Sequence, residues 1–193
     1  MVRQQERILR AAWSRFKSGG LPAVTIRRVA ADVGLAPMSL YRHFASRDAL
    51  IEAMVARGLE RFEVGYLRPV SSRGPALGRI RRLARAYIDF ALAEPEAFGL
   101  VFLASRPSDT PFLRDYVTMP STSLNMLQRA VEAAMDEGVI ARADALAATV
   151  HIWAQLHGLV ALYVTGRLGT GDAAFRQFAE RSLKRLLERR APE

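Results

Sequence analysis

The distribution of apolar residues predicts an all-α protein, because apolar positions recur every three or four residues along most of the chain. The first such run covers about Arg3 to Lys17, and Gly19 and Gly20 are expected to end it. The pattern indicates about nine helices in total, with no strands.

Residues 25–44 are expected to form two short helices joined by a sharp turn. Thr25 is a suitable N-cap, and apolar residues at helical spacing follow it. Gly34 allows the turn because glycine adopts a positive φ without strain, and Leu40 and Phe44 then point inward from the second helix. This arrangement is typical of a helix-turn-helix, whose second helix enters the major groove of DNA, although an ordinary hairpin of two helices shares the spacing.

The second helix of this pair would expose hydrogen-bond donors, acceptors and apolar edges instead of a solubilising run of Glu and Lys. The exposed set is Pro37, Met38, Ser39, Tyr41, Arg42 and His43. Residues 1–60 hold 10 Lys and Arg against 5 Asp and Glu, whereas residues 61–193 hold 18 against 14. The net charge of +9 is therefore densest where a phosphate-binding surface would need it.

Three stretches carry a resemblance to a known family: residues 8–16, residues 25–44 with the motif LYRHF, and residues 46–50. They resemble the N-terminal domain of the TetR family of bacterial transcriptional regulators. The resemblance implies base contacts from Arg27, Pro37, Met38 and Ser39, and backbone contacts to double-stranded DNA from Thr25, Tyr41, His43 and Arg47, with Arg42 suited to either. Arg27 is the best candidate for a bidentate contact with guanine.

A fourth helix is expected to begin near Ser46, a suitable N-cap, and to run to about Tyr66. The stretch PVSSRGP at residues 69–75 then has the composition of a linker. We therefore expect a DNA-binding domain in residues 1–66, with its core in 3–45, and a second domain in residues 74–193.

The second half of the chain is also predicted to be helical, with a further helix at about residues 112–137 that Pro120 interrupts. Residues 145–166 contain no Asp, Glu, Lys or Arg, and their length alone would admit a membrane span. His151, Gln155 and His157 interrupt this stretch, so a helix buried between partner helices is the favoured interpretation.

A second resemblance rests on the sequence WAQLHGL at residues 153–159 and on EPEAF at residues 94–98. Both resemble the C-terminal domain of a TetR subgroup marked by a Trp, His and Gly pattern. The resemblance implies an effector cavity enclosed by the first helices of this domain. It also implies a homodimer formed through the last two helices around a two-fold axis.

Large apolar and aromatic residues from four predicted helices are the candidate contacts for an effector. These residues are Tyr87, Phe98, Phe102, Met126, Trp153 and His157. Each of them alone also fits ordinary core packing. As a group they favour a small, largely apolar or aromatic molecule, because ligand pockets are mostly apolar with a few placed polar groups.

Enzyme chemistry has little support in the sequence, and neither a cofactor nor a metal is expected. The chain has no cysteine, which excludes a disulfide, a thiolate metal site and a cysteine nucleophile. His151 and His157 stand six apart on different helix faces, and His43 belongs to the predicted DNA-reading helix. The N-terminal stretch lacks the continuous apolar core of a secretory signal, so a cytoplasmic location is expected.

The working hypothesis is a dimeric, effector-responsive transcriptional regulator, usually a repressor, that binds a two-fold symmetric operator. Two copies of the second helix would lie in successive major grooves, about 34 Å apart. The alternatives are an architectural protein that binds DNA without sequence preference, and an enzyme on a regulator-derived scaffold.

Overall fold

The computed structural model describes residues 2–70, 72–104 and 122–188, and every regular element within these ranges is helical. Nine α-helices lie in the described ranges: α1 Val2–Ala23, α2 Ile26–Asp32, α3 Pro37–Tyr41, α4 Arg47–Phe62, α5 Ala76–Ala93, α6 Pro95–Phe98, α7 Thr122–Asp136, α8 Ala145–Val164 and α9 Asp172–Glu188. Two π-helical turns, Glu63–Leu67 and Gly99–Leu103, follow α4 and α6. The all-α prediction is confirmed, and the predicted interruption at Pro120 lies outside the described residues.

The chain divides into two compact units. Of the described residues, 2–60 and 96–104 form the first unit, and 61–70, 72–95 and 122–188 form the second. This division differs from the predicted boundary between Tyr66 and Gly74, because α6 and the turn after it pack with the first unit. As a functional division, residues 1–66 and 74–193 stay a prediction.

The first unit is built around the helix pair predicted from residues 25–44. Thr25 caps α2, since its Oγ1 accepts from the backbone N–H of Arg28 at 3.3 Å. Gly34 has a φ of 66°, and the N–H of Leu35 donates to the carbonyl of Ala30 at 2.9 Å, which closes the turn between α2 and α3. Both the cap and the glycine turn are therefore confirmed.

The apolar faces of α1 to α4 meet in one core. Its members are Ile8, Ala12, Val24, Ile26, Val29, Ala30, Leu40, Phe44, Leu50, Ile51, Met54, Val55 and Leu100. α1 departs from helical geometry at Gly19 and Gly20, where Gly20 has a φ of 64°, but a further helical turn continues to Ala23, beyond the predicted end at about Lys17. α3 is only five residues long and ends at Tyr41, but Phe44 beyond it is still buried in this core.

The second unit packs α5 against α7, α8 and α9. α5 buries Ile80, Leu83, Ile88 and Phe90. Its N-terminus is capped from the end of α7, because the Glu137 carboxylate accepts from the N–H of Ala76, with N–O distances of 3.0 and 3.2 Å. This cap joins residues 61 apart in sequence, and nothing in the local sequence around Ala76 indicates it.

α8 is long and apolar enough to cross a membrane by length and composition, the one such helix in the part of the chain described. Only 22% of its most apolar 18-residue window is buried within the chain. The buried residues, Thr149, Ile152, Leu156 and Val160, form a single face. α8 contacts α5, α7 and α9, as expected of a helix between partner helices, while most of its other residues stay partly exposed within one chain.

Candidate DNA-binding surface and effector site

The helix pair presents a mixed polar and apolar surface to solvent. Arg27 and Arg28 of α2 are exposed, as are Pro37, Tyr41 and Arg42 of the α3 region. Met38 is 73% exposed, the largest exposed fraction among the apolar residues that the structure shows as exposed. Folding buries little of the apolar surface of this methionine, so the side chain contributes little to stability. Exposed apolar side chains of this kind are typical of a binding surface.

Ser39 and His43 are only half-buried, and neither is fully open to solvent. The backbone N–H of His43 donates to the carbonyl of Leu40 at 2.9 Å. Its Nδ1 is buried and has no hydrogen-bond partner among the described residues.

Arg47, at the start of α4, has an internal role that sequence reasoning missed. Its Nε donates to the carbonyl of Val24 at 2.7 Å, and its Nη2 donates to the carbonyl of Leu21 at 2.7 Å. The guanidinium also lies 3.8 Å from the carboxylate of Asp48. Arg47 thus ties α4 to the connection between α1 and α2, and a phosphate contact from the same side chain stays a prediction.

An ion pair on the outside of the first unit joins α1 to α2. Arg15 donates to both carboxylate oxygens of Asp32, at 2.6 and 2.5 Å. The hydrogen bond from Arg15 lowers the pKa of Asp32. The bidentate geometry fixes the orientation of α2 relative to α1.

The six candidate effector residues divide between the two units. Phe98 and Phe102 belong to the first unit, where their ring centroids are 5.2 Å apart. Tyr87, Met126, Trp153 and His157 belong to the second unit. A single pocket lined by all six residues stays a prediction.

Three of these residues, Tyr87, Trp153 and His157, lie together in the second unit. The hydroxyl of Tyr87 is hydrogen-bonded to Nδ1 of His157 at 2.8 Å, and the rings of Trp153 and His157 lie 5.0 Å apart with an interplanar angle of 33°. Burial raises the pKa of Tyr87 and lowers the pKa of His157. Both side chains are therefore neutral near pH 7, and the cluster carries no net charge.

Met126 lies on α7 and is half-buried.

Tyr87 also packs edge-on against Phe62, with ring centroids 5.8 Å apart, and Phe62 packs against Phe90 at 5.0 Å. The aromatic neighbourhood of Tyr87 thus extends to residues that periodicity alone assigns to the core.

Two large apolar side chains are exposed on α8 and α9. Leu162 is 39% exposed and Phe178 is 46% exposed. These two helices are the last two of the described chain, and they contact each other.

Metal chemistry gains no support from the structure. In the ranges that the structure describes, no group of three or more His, Asp or Glu side chains is placed to hold a metal ion.

Comparison with known proteins identifies both parts of the sequence. Residues 8–54 match the family model described as bacterial regulatory proteins, tetR family, and residues 80–186 match the model described as tetracyclin repressor-like, C-terminal domain. The HTH-type transcriptional regulator UidR of Escherichia coli K12 is 31% identical over 64 residues. That match spans a third of this chain and a third of UidR.

Solved structures share the fold over nearly the whole chain. A protein of unknown function from Rhodococcus sp. RHA1 is 25% identical, with a TM-score of 0.76, over 96% of this chain and 95% of its own. A protein from Saccharomonospora viridis in complex with choline is 20% identical, with a TM-score of 0.74, over 95% of this chain and 97% of its own. The C-terminal model alone matches more than half of the chain, and the N-terminal model matches the helix-turn-helix separately. The chain therefore belongs to the TetR family of bacterial transcriptional regulators.

Proposed function

We propose that the protein is a repressor that binds a palindromic operator as a homodimer and is released from it by a small, largely apolar effector. Regulation of transcription through DNA binding is the function of the family to which the chain belongs. Beyond this family function, we propose the repressor role, the symmetry of the operator, the effector class and a cytoplasmic location. The observation that carries the proposal is the exposed face of α3, with Met38 and Tyr41 in solvent beside the arginines of α2.

The DNA contacts follow from this surface. Arg27 would read guanine in the major groove, because its guanidinium can donate twice to the O6 and N7 edge. Pro37 and Met38 would meet thymine methyl groups, since neither side chain can donate a hydrogen bond. Thr25, Tyr41 and His43 would contact phosphates, and Arg42 would reach either phosphate or base.

Dimer formation is supported by the partly exposed apolar surface of α8 and by the exposed Phe178 of α9. α8 carries no charged residue, yet only 22% of its most apolar window is buried within one chain. A second copy related by a two-fold axis would cover this surface and Phe178. The dimer would then present two α3 helices, one to each half-site of the operator. Phe178→Asp should therefore give monomers in sedimentation velocity, whereas Val139→Asp, at a residue of nearly equal exposure, should leave the dimer intact.

The effector proposal rests on the neutral cluster of Tyr87, Trp153 and His157. A ligand bound beside these side chains would gain apolar and aromatic contact, but no ion pair. The ligand would favour a different separation of the two DNA-reading units, and it can do so only as far as its affinities for the two arrangements differ.

The first test is selection of bound DNA from a random duplex pool at about 0.15 M salt, where screening suppresses indiscriminate binding. An enriched inverted repeat supports a site-specific dimer. The rival function, an architectural DNA-binding protein, predicts binding without any enriched sequence and with a strong dependence on salt.

The effector class is tested with three probes of different charge. The chain has two tryptophans, so in Trp13→Phe the emission reports on Trp153 alone. Decanol should shift this emission and weaken operator binding, whereas decanoate and choline should do neither at the same concentration. A response to choline alone would favour a cationic ligand, as in the Saccharomonospora viridis complex, and would contradict the apolar effector.

A further inference from the structure

One short segment from the second half of the sequence packs with the DNA-binding unit. Residues 96–104, formed by α6 and the turn Gly99–Leu103, belong to the first compact unit. Leu100 is fully buried in the same core as Leu40 of α3 and Met54 of α4. This segment nevertheless lies within the range matched by the C-terminal family model. The DNA-binding unit is thus assembled from two distant parts of the chain.

The contact between this segment and α4 depends on a glycine. Gly58 is buried within α4, where glycine is ordinarily less favourable than alanine. A Cβ at Gly58 would lie 2.6 Å from Cγ2 of Val101, and 3.8 and 3.9 Å from Cζ2 and Cη2 of Trp13. Carbon atoms in contact are about 3.5–4.0 Å apart, so a side chain at this position would force Val101 and α4 apart by about 1 Å.

The same segment carries two of the candidate effector contacts. Phe98 and Phe102 stand four residues apart and their rings are in contact. Leu100 and Val101, between them, pack into the DNA-binding unit. The two phenylalanines and these two core residues belong to one short helical segment. A ligand that moves either phenyl ring would therefore also move residues that pack in the core beneath α3.

We propose that Gly58 and Val101 are positioning residues for DNA reading: their close contact holds residues 96–104 against α4 and so sets the orientation in which α3 meets the operator. This inference rests on the proposed function, since it takes α3 as the helix that reads DNA. Neither residue belongs to the DNA-contacting surface, and both act through packing.

The physical route runs through α4. Valine has two heavy atoms on Cβ, so Val101 cannot rotate Cγ2 away without entering an unfavourable rotamer. The displacement therefore passes to α4, because close-packed interiors transmit it. The N-terminus of α4 carries Arg47, whose guanidinium holds the carbonyls of Leu21 and Val24 just before α2. A shift at Gly58 thus reaches the helix pair through hydrogen bonds that the structure contains.

The test is a double-mutant cycle in the full chain. Gly58→Ala, Val101→Ala and the double variant are compared in fluorescence anisotropy on the DNA enriched from the random pool. Gly58→Ala should weaken operator binding about tenfold, and removal of Cγ2 in the double variant should restore it to within about twofold of the original chain. Gly99→Ala is the matched control, because nothing lies within 4 Å of a Cβ at Gly99. It should bind as the original chain does.

Two outcomes would overturn the proposal. One is a folded Gly58→Ala protein that binds the operator with unchanged affinity. The other is a tenfold loss that Val101→Ala fails to restore in the double variant. If Gly58→Ala does not fold, the double variant decides: restored folding and binding support the proposal, and a folded double variant without operator binding overturns it.

Measuring affinity at a temperature where every variant is folded distinguishes a positioning role from a purely structural contact. Affinities are compared well below the unfolding transition of every variant, where the folded fraction is complete. A contact that only stabilises the fold would lower Tm and leave the affinity unchanged at that temperature, which would count against a positioning role.

Failure of the proposed function is distinguishable from failure of this inference. If the original chain enriches no DNA sequence, the proposed function fails, and the packing contact is then judged by fluorescence. In a Trp153→Phe background the emission comes from Trp13 alone. Gly58→Ala should shift this emission and Val101→Ala should reverse the shift, whereas an unchanged spectrum would overturn the contact itself.

Discussion

Replacing Arg47 by alanine should loosen the connection between α1 and α2 and destabilise the DNA-binding unit. The substitution removes two hydrogen bonds from a charged donor, to Val24 and to Leu21, each with an N–O distance of 2.7 Å. A hydrogen bond that involves a charged group contributes about 1.5–3 kcal/mol in mutational series. The Arg47 side chain is 39% exposed, so water competes for both bonds. We therefore expect a loss of about 2 kcal/mol for the pair.

The assay is thermal unfolding of Arg47→Ala and Arg47→Lys beside the original chain. A loss of about 2 kcal/mol corresponds to a decrease in Tm of about 4–8 °C for a chain of this size. Lysine keeps the charge but cannot span two carbonyls with a rigid fork, so Arg47→Lys should lose nearly as much stability. An unchanged Tm in Arg47→Ala would refute the internal role of the guanidinium.

The same two variants also test the predicted phosphate contact. If Arg47 touches a phosphate, Arg47→Ala should weaken binding to all DNA sequences alike and reduce the salt slope by about one. Arg47→Lys should then keep the slope while it loses stability. A change in sequence preference in Arg47→Ala would contradict the phosphate contact.

Three further predictions concern contacts elsewhere in the chain. Arg27→Ala should relax base preference at one position in each half-site at a cost of about 1–3 kcal/mol, with Arg28→Ala as the neighbouring control; an unchanged preference profile in site selection would count against the assignment. Glu137→Ala should destabilise the protein by about 1 kcal/mol in urea unfolding, because the N-terminus of α5 loses its cap, and an unchanged midpoint would show the cap to be dispensable. The pKa of Asp32 is lowered by its hydrogen bond from Arg15, so the folded state binds fewer protons than the unfolded state near pH 4. The stabilisation from ionised Asp32 is complete above the unfolded pKa of about 3.9 and disappears as the pH falls through the lower folded pKa. Asp32→Asn should therefore flatten the acid side of the plot of stability against pH, and an acid side identical to that of the original chain would refute this.

The helix pair could be predicted from residues that act on their immediate neighbours. The Thr25 cap and the Gly34 turn each involve groups no more than five residues apart. Such interactions form in any context that allows a helix, so their sequence signals are reliable. The exposed residues of α3 follow from the same periodicity, because Leu40 and Phe44 must point inward.

The candidate effector site could be predicted only in part. The four-residue spacing of Trp153 and His157 is sufficient to place both side chains on one helix face. The hydrogen bond between Tyr87 and His157 joins residues 70 apart in sequence, and helical periodicity carries no information on which helix faces which. Phe98 and Phe102 share the apolar, aromatic character of these residues, but the structure assigns them to the other compact unit.

The sequence by itself determined the helical fold, the helix-turn-helix and the family, because each of these depends on local spacing and on short motifs. Only the tertiary structure decided that Arg47 is bonded to Leu21 and Val24, that Glu137 caps α5, and that residues 96–104 complete the DNA-binding unit. The hydrogen bonds among these contacts join residues 23 to 61 positions apart, and the ends of such loops meet only when the whole core assembles. A glycine at position 58 could then be understood, since its missing Cβ matters only once Val101 lies against it.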